Sequence, residues 1–311
     1  MKYTKDKEWN LEIERPKVLF LGNGLFYSDS NWDNFIERNK RQDISLKEWA
    51  AIENAPYTIR ATAALPTNDL ERQQGYLKEI DKIHIEMQRD RQHILELLDL
   101  PFDAILTTNY TYQIENHIKN DYCELSNEQK TKKYAKQTFV YNKKFPQDSK
   151  FLLRTFNQLE YNGKNKNIWH IHGEARRKSS IVATHDEYGK LMEAIRQYCK
   201  KYGANYRNFY NLFHFNSWID YLIMGDVYFI GSQLDYTEFD LWWLFSRRMR
   251  EEKNHGKMIY YSPSEQNPER ETIFKLLDIE IRTLNCYKTA SCDFDSFYVK
   301  AIEDIKKDFK K

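Results

Sequence analysis

The sequence lacks the features that mark several large classes of protein. It has no run near the roughly 18 apolar residues of a membrane-spanning helix, and residues 1–16 are polar and charged. We therefore expect no signal peptide and no membrane anchor. Its 48 Lys and Arg against 46 Asp and Glu give a net charge of +2, so no imbalance indicates a nucleic-acid partner. With 41% apolar residues, the chain is expected to be a folded globular protein. Since no signal peptide or anchor is expected, we expect it in the cytoplasm.

Cysteine is scarce as well. The four cysteines, Cys123, Cys199, Cys286 and Cys292, are scattered and form no CxxC pair. Their spacing indicates neither a zinc module nor a disulfide framework, and we expect no metal centre.

Glycine is the most informative scarcity. It makes up 10 of the 311 residues, which is about half the usual share of roughly 7%. A chain that uses so little glycine tends to place it where backbone geometry demands it. Four glycines, Gly22, Gly24, Gly173 and Gly231, directly follow short apolar runs, which is the first indication of a site.

Short apolar runs of strand type alternate with helical patterns along the chain. The predicted strands are Lys17–Leu21, Phe102–Thr108, Ile168–His172, Val227–Ile230, Lys257–Tyr261 and Ile279–Thr283. Helices are predicted at 31–54 (two short ones), 68–98, 111–119, 184–200, 207–224, 235–251, from 268, and at the C-terminal end. This alternation predicts an α/β fold, a parallel sheet with helices on both faces.

We interpret residues 1–311 as a single domain. Residues 17–123 and 167–290 are expected to form its core, and 291–311 an amphipathic C-terminal helix. Residues 124–166 are rich in Lys, Asn, Gln and Tyr with weak periodicity, so they are predicted to be an irregular insertion.

Four predicted strands end in unusual polar residues: Gly22-Asn23-Gly24, Thr107-Thr108-Asn109, His172-Gly173 and Gly231-Ser232. Ligands of such sheets bind at the carboxyl ends of the strands, near the point where the strand order reverses. If the sheet is doubly wound, all four ends meet at one edge, and this convergence predicts a ligand site.

Each element also has a plain structural explanation. The first glycine pair fits an ordinary tight turn, and Asn109 fits a turn residue or helix cap. His172 fits a hydrogen-bonded structural histidine, and Ser232 a turn before a helix capped by Asp235. In functional terms, the Asn109 amide would hold a ribose hydroxyl or orient a water, and His172 would be a general base. His170 is the runner-up, because Gly173 favours His172 by allowing close approach of a ligand.

Taken in order, these pieces resemble the sirtuin-like superfamily, and they are most similar to bacterial sirtuin-like NAD-consuming domains of antiphage defence systems. The residues that carry the resemblance are Leu21–Gly24, Phe102–Tyr110, Ile171–Gly173, Ile181–Tyr188 and Gly231-Ser232.

The resemblance implies a Rossmann-like NAD-binding domain with a smaller, mainly helical inserted module. It also implies that Asn109 and His172 are the catalytic pair. The residues that it assigns to dinucleotide binding are Gly22, Asn23, Gly24, Leu25, Thr108, Gly231 and Ser232. Deacetylating sirtuins carry two CxxC pairs and an acidic residue two positions after the asparagine, where this chain has Thr111. These departures favour NAD⁺ cleavage over protein deacetylation.

We therefore expect an NAD⁺ glycohydrolase that releases nicotinamide and ADP-ribose, acting in antiphage (abortive infection) defence. The alternatives are a sensor that binds NAD⁺ or ADP-ribose without cleaving it, and an NAD-dependent protein deacylase or ADP-ribosyltransferase. Because a toxic NADase must be restrained, we expect a homo-oligomer or a regulatory partner protein. The aromatic residues at 208–221 and 242–245 are candidate contact surfaces, although core packing explains them equally well.

Overall fold

The computed structural model describes residues 15–26, 32–68, 71–72, 75, 91–115, 150–174, 177–202, 215–286 and 293–310. The strands are β1 (Lys17–Leu21), β2 (Ala104–Thr107), β3 (Asn157–Tyr161), β4 (Lys164–His170), β5 (Asp226–Ile230), β6 (Met258–Ser262) and β7 (Ile279–Thr283). The α-helices are α1 (Trp32–Asn39), α2 (Leu46–Ile52), α3 (Tyr57–Ala64), α4 (Arg91–Asp99), α5 (His185–Tyr202), α6 (Trp218–Met224), α7 (Phe239–Arg248), α8 (Pro268–Leu276) and α9 (Phe294–Asp308).

The seven described strands form one sheet in the order β3-β4-β2-β1-β5-β6-β7. Every neighbouring pair is parallel except β3 and β4, which are antiparallel. The chain goes from β1 to β2 on one side and later places β5 on the other side of β1, so the strand order reverses between β1 and β5. The predicted α/β fold with a doubly wound, Rossmann-like sheet is confirmed.

Apolar side chains on both faces of the central strands explain why helices cover both sides of the sheet. In β1, Val18 and Phe20 belong to one core cluster, while Leu19 and Leu21 belong to the other. Helices α5, α6, α7 and α8 supply apolar side chains to the first cluster, and α4 and α9 supply them to the second. In α9 these include Phe297, Ala301 and Ile305, as the amphipathic pattern predicts.

The small helical module lies in the connection between β1 and β2. Phe35 and Ile36 of α1 pack with Ala61 and Ala64 of α3 in a third core cluster. The loop at 181–183 contributes to the same cluster and thereby joins the module to the strand ends.

Several local predictions can be compared directly with the structure. The bounds of β1 and β7 are as predicted. The predicted capping box of α5 is present, because Thr184 N donates to Glu187 Oε2 at 3.0 Å and Glu187 N donates to Thr184 Oγ1 at 3.4 Å. Most of the predicted helix 68–98 lies outside the described residues, as do 116–119 and 207–214. Helix α7 begins at Phe239 rather than near 235.

The prediction of an irregular insertion over residues 124–166 is wrong for the C-terminal end of that range. Residues 157–161 and 164–170 form the β3–β4 hairpin, so the sheet begins about ten residues before the predicted core boundary. The signal for this hairpin is Asn162-Gly163, whose φ angles of 52° and 71° suit a tight turn of the type that joins two antiparallel strands. Residues 116–149 lie outside the described part of the chain.

Cys286 forms a disulfide bond, which the cysteine spacing did not predict. Cys199 is free and buried. Among the described helices, none is both long enough and apolar enough to cross a membrane.

Candidate functional site

The strand register brings the four predicted polar strand ends to one edge of the sheet. Leu21 is paired with Thr107 on one side and with Ile230 on the other, and Thr107 is paired with His170. The residues that follow each of these positions therefore lie side by side, at the point where the strand order reverses. The predicted convergence is confirmed, and it occurs where α/β sheets bind their ligands.

The glycines after β1 and β5 allow two backbone segments to pack in direct contact. Gly22 N donates to Ile230 O at 3.0 Å, and Gly24 N donates to Gly231 O at 2.8 Å. A Cβ atom on Gly22 would lie only 2.3 Å from Gly231 O, and Gly231 itself has a φ of 67°. Because these two amides already donate within the protein, they are not free to donate to the phosphates of a bound dinucleotide.

The other residues assigned to dinucleotide binding differ in their accessibility. Asn23 is exposed, Thr108 is half-buried, and the side chain of Leu25 is fully buried in an apolar cluster. The expectation for Leu25 is corrected to this extent, since only its backbone is left for a ligand. Ser232 is half-buried, and its hydroxyl accepts a hydrogen bond from Leu234 N at 3.2 Å.

The backbone of Asn109 is held by hydrogen bonds, and its side-chain nitrogen has no partner in the part of the chain that the structure describes. Its N–H donates to Thr107 Oγ1 at 3.1 Å, and its carbonyl lies 2.6 Å from Nδ1 of His170. Its side-chain nitrogen Nδ2 is buried and has no hydrogen-bond partner among the described residues. A buried amide donor without a partner is costly, so this nitrogen is suited to a ligand oxygen.

His170 is held between two hydrogen-bond acceptors. Its Nδ1 faces the Asn109 carbonyl, and its Nε2 lies 3.0 Å from Oε1 of Glu115, which also accepts from Asn157 Nδ2 at 2.9 Å. Burial opposes protonation of His170, but the Glu115 carboxylate outweighs burial and raises the pKa of the ring. Burial would raise the pKa of Glu115, but the His170 charge and hydrogen bonds keep it lowered. Both ring nitrogens face acceptors, so the surroundings favour the protonated form of His170, which supports the backbone of Asn109.

His172 has partners of a different kind. Its Nε2 lies 3.0 Å from Oδ2 of Asp240, and its Nδ1 lies 3.3 Å from the hydroxyl of Tyr188. Only 1% of His172 is exposed. Burial opposes its protonation, but the Asp240 carboxylate outweighs burial and raises the pKa of the ring. Since a phenol can donate as well as accept, neutral His172 can keep its proton on Nε2 and a free electron pair on Nδ1.

Glycine is required at position 173 for a reason other than the expected approach of a ligand. Its φ is 100°, and a Cβ atom there would lie 2.3 Å from Ser180 O. The space beside Gly173 is therefore filled by the protein's own backbone, and close approach of a ligand is not what requires glycine at this position.

Asn109 and His172 extend the same distance beyond the paired residues of neighbouring strands. Each lies two positions after the Thr107–His170 pair. The loop residue Val182 joins the two strand ends, because its N–H donates to His172 O at 2.9 Å and its carbonyl accepts from the Tyr110 hydroxyl at 2.8 Å. The two predicted catalytic residues thus belong to one hydrogen-bonded edge.

Sequence reasoning missed four polar residues around these two, Glu115, Tyr188, Glu238 and Asp240. Burial first, and then the neighbouring carboxylates of Asp240 and Asp235, raise the pKa of Glu238 to about 7, although the charge of His172 opposes this shift. Two of the four, Glu238 and Asp240, follow Gly231-Ser232 by a few residues, so the acidic residues just before α7 and in its first turn were the available signal.

The predicted cap of α7 and one predicted contact surface also look different in the structure. Asp235 Oδ1 accepts from Thr237 N at 2.8 Å and so stabilises a turn before α7 rather than capping the helix. The indole nitrogen of Trp242 donates to Asp235 O at 2.9 Å, and its ring packs against Phe245 and Phe274. These aromatic side chains therefore pack against one another within the same chain.

No group of three or more metal-ligating side chains occurs among the residues that the structure describes. Residues 103–281, more than half of the chain, match the family model described as a SIR2-like domain. No curated protein sequence gives a match. The matched segment includes Asn109, both histidines and Gly231-Ser232, while Gly22 and Gly24 precede it. The chain therefore belongs to the SIR2-like domain family, and its function is NAD-related.

Proposed function

We propose that the protein is an NAD⁺ glycohydrolase that splits NAD⁺ into nicotinamide and ADP-ribose. The observation that carries the proposal is the amide nitrogen of Asn109, which is buried and has no partner among the described residues, next to the strand end that presents His172 with its partner Asp240 from α7. An amide donor and a histidine–carboxylate pair at a topological switch point form a set that can hold a ribose and accept a proton.

The chemistry requires few protein groups. The bond between ribose C1′ and the nicotinamide nitrogen breaks, and nicotinamide leaves as a neutral molecule without a general acid. A new bond forms between C1′ and a water oxygen, and the water gives up one proton. The transition state resembles an oxocarbenium ion, as in the cleavage of glycosides. Asn109 would orient the ribose or the water, and His172 would take the proton, with Asp240 stabilising the imidazolium.

The proposal predicts matched formation of two products. Purified wild type incubated with NAD⁺ should release nicotinamide and ADP-ribose in equal amounts, separated and identified by chromatography. Asn109→Ala and His172→Gln should lower kcat by about 100-fold or more. The control is His255→Gln, because His255 lies just before β6, at the opposite edge of the sheet, and should leave turnover unchanged.

Two other outcomes would overturn this proposal. Intact NAD⁺ that nevertheless binds in a titration would favour a sensor. A modified protein in place of free ADP-ribose would favour a deacylase or ADP-ribosyltransferase.

The proposed biological role rests on the resemblance to antiphage domains alone. If it is correct, infected cells that carry wild type should lose NAD⁺, and cells that carry Asn109→Ala should keep it. We further propose that an oligomer or a partner protein restrains the activity before infection. A monomer in both the resting and the active state, measured by sedimentation, together with full activity of the isolated chain would refute this proposal.

A further inference from the structure

Four side chains form a continuous hydrogen-bonded chain beside the strand ends. Asp240 Oδ2 lies 3.0 Å from Nε2 of His172, and Nδ1 of His172 lies 3.3 Å from the hydroxyl of Tyr188. The Tyr188 hydroxyl in turn lies 3.2 Å from the hydroxyl of Tyr57. The members come from α7, the turn after β4, α5 and α3, so the tertiary fold brings them together.

The four members differ in their exposure. Asp240, His172 and Tyr188 are 0%, 1% and 0% exposed, whereas Tyr57 is half-buried. Tyr57 also forms a side-chain hydrogen bond with Thr237, in the loop that follows β5. Tyr57 is therefore the partly exposed end of this hydrogen-bonded chain, and it also contacts the loop that follows β5.

The partners of His172 set the direction of these hydrogen bonds. The Asp240 carboxylate can only accept, so Nε2 carries the proton, and Nδ1 of the neutral ring accepts from the Tyr188 hydroxyl. Burial, together with the nearby charge of Glu238, raises the pKa of both Tyr188 and Tyr57. Neither phenol is ionised at neutral pH, so each can pass on a proton only by receiving another.

We propose that Tyr57 and Tyr188 are the proton path to His172, with Tyr57 as the group that meets the attacking water or a ribose hydroxyl. This inference rests on the proposed hydrolysis of NAD⁺. The substrate hydroxyl gives its proton to the Tyr57 oxygen, Tyr57 gives its own proton to Tyr188, and Tyr188 gives its own to Nδ1 of His172. Each tyrosine ends neutral, and the positive charge lies on the imidazolium beside Asp240.

The kinetic test removes the two hydroxyls and keeps the rings. Tyr57→Phe and Tyr188→Phe should each lower kcat by about 100-fold, which is in the range of lost general-base catalysis, and leave KM within about twofold. Tyr198→Phe is the matched control, because Tyr198 is also a buried tyrosine of α5. Its hydroxyl donates to Asp220 Oδ2 at 2.6 Å and takes no part in the hydrogen-bonded chain that ends at His172 and Asp240. Thermal unfolding of each variant corrects for loss of folded protein. Folded Tyr188→Phe with kcat within about twofold of wild type would overturn the proposal.

A second test needs no turnover. In protein labelled with ¹⁵N-histidine, the His172 signals are assigned by their loss in His172→Gln. Above the pKa of His172, Nε2 should carry the proton and Nδ1 should give the shift of an unprotonated ring nitrogen. The opposite tautomer would overturn the proton path. A protein that shows the expected tautomer but leaves NAD⁺ intact would refute the hydrolase, while the order of the hydrogen bonds would stand.

Discussion

Replacing Gly22 by alanine is expected to destabilise the protein strongly. The new Cβ atom would lie 2.3 Å from Gly231 O and 2.4 Å from Ser232 Cα, and both are backbone atoms that cannot rotate away. The ends of β1 and β5 would have to separate, which would weaken the 3.0 Å hydrogen bond from Gly22 N to Ile230 O. Overpacking and a lost hydrogen bond together lower the free energy of unfolding by about 3 kcal/mol.

The same substitution at Gly189 is expected to have the opposite effect. Gly189 lies within α5, and a Cβ atom added there meets nothing within 4 Å. Alanine in a helix interior restricts the unfolded chain and favours the helix, which raises the free energy of unfolding by about 0.5–1 kcal/mol.

Urea unfolding of the two variants and wild type, followed by far-UV circular dichroism, measures both changes. A titration with NAD⁺ adds a second readout, because Gly22→Ala also separates the two segments that border the site. The reasoning fails if Gly22→Ala unfolds at the urea concentration of wild type, or if Gly189→Ala unfolds earlier than wild type.

Three further substitutions test the electrostatics and the caps. Since the folded state raises the pKa of Glu238 from 4.5 to about 7, wild type should lose up to about 3 kcal/mol of stability as pH rises through this window. In Glu238→Gln, the free energy of unfolding should fall much less between pH 4.5 and pH 8. A fall as large as that of wild type would contradict the raised pKa of Glu238. Arg248 is buried and donates to four backbone carbonyls, so Arg248→Lys should lower the unfolding free energy by about 2 kcal/mol, and an equal melting temperature would refute this role. Ser217 caps α6 and donates to Leu153 O, so Ser217→Ala should lower the free energy of unfolding, measured in urea, by about 1–2 kcal/mol. A variant that unfolds at the urea concentration of wild type would contradict this role of the cap.

The parallel core could be predicted because its strands are buried on both faces. Such strands appear in the sequence as short apolar runs, and the run Lys17–Leu21 has the predicted bounds. The edge strand Ile279–Thr283 also has the predicted bounds, although only its first residue is buried. A glycine directly after a run marks its end, as at Gly22 and Gly231. These local signals predict the alternation of strands and helices. That alternation in turn predicts the edge of the sheet where the polar strand ends meet.

The edge hairpin was missed because its residues are polar. Strand β3 alternates buried and half-buried residues, but two of the buried ones are Asn157 and Tyr161, which carry polar groups. The buried Asn157 amide is satisfied by Glu115 and Glu174, residues distant in the sequence. A pattern of apolar residues cannot reveal a strand whose inner face is in part a hydrogen-bonded polar cluster.

Two histidines two positions apart show most clearly what the sequence could not decide. His170 and His172 are 2% and 1% exposed, and each has a buried carboxylate at Nε2. Only the partner at Nδ1 differs, and it differs in its ability to donate a proton. The carbonyl at Nδ1 and the carboxylate at Nε2 both require a donor, so His170 has no free electron pair with which to act as a base. The Tyr188 hydroxyl at Nδ1 leaves such a pair on His172, and the preference for His172 therefore rests on Tyr188 rather than on the glycine that follows it.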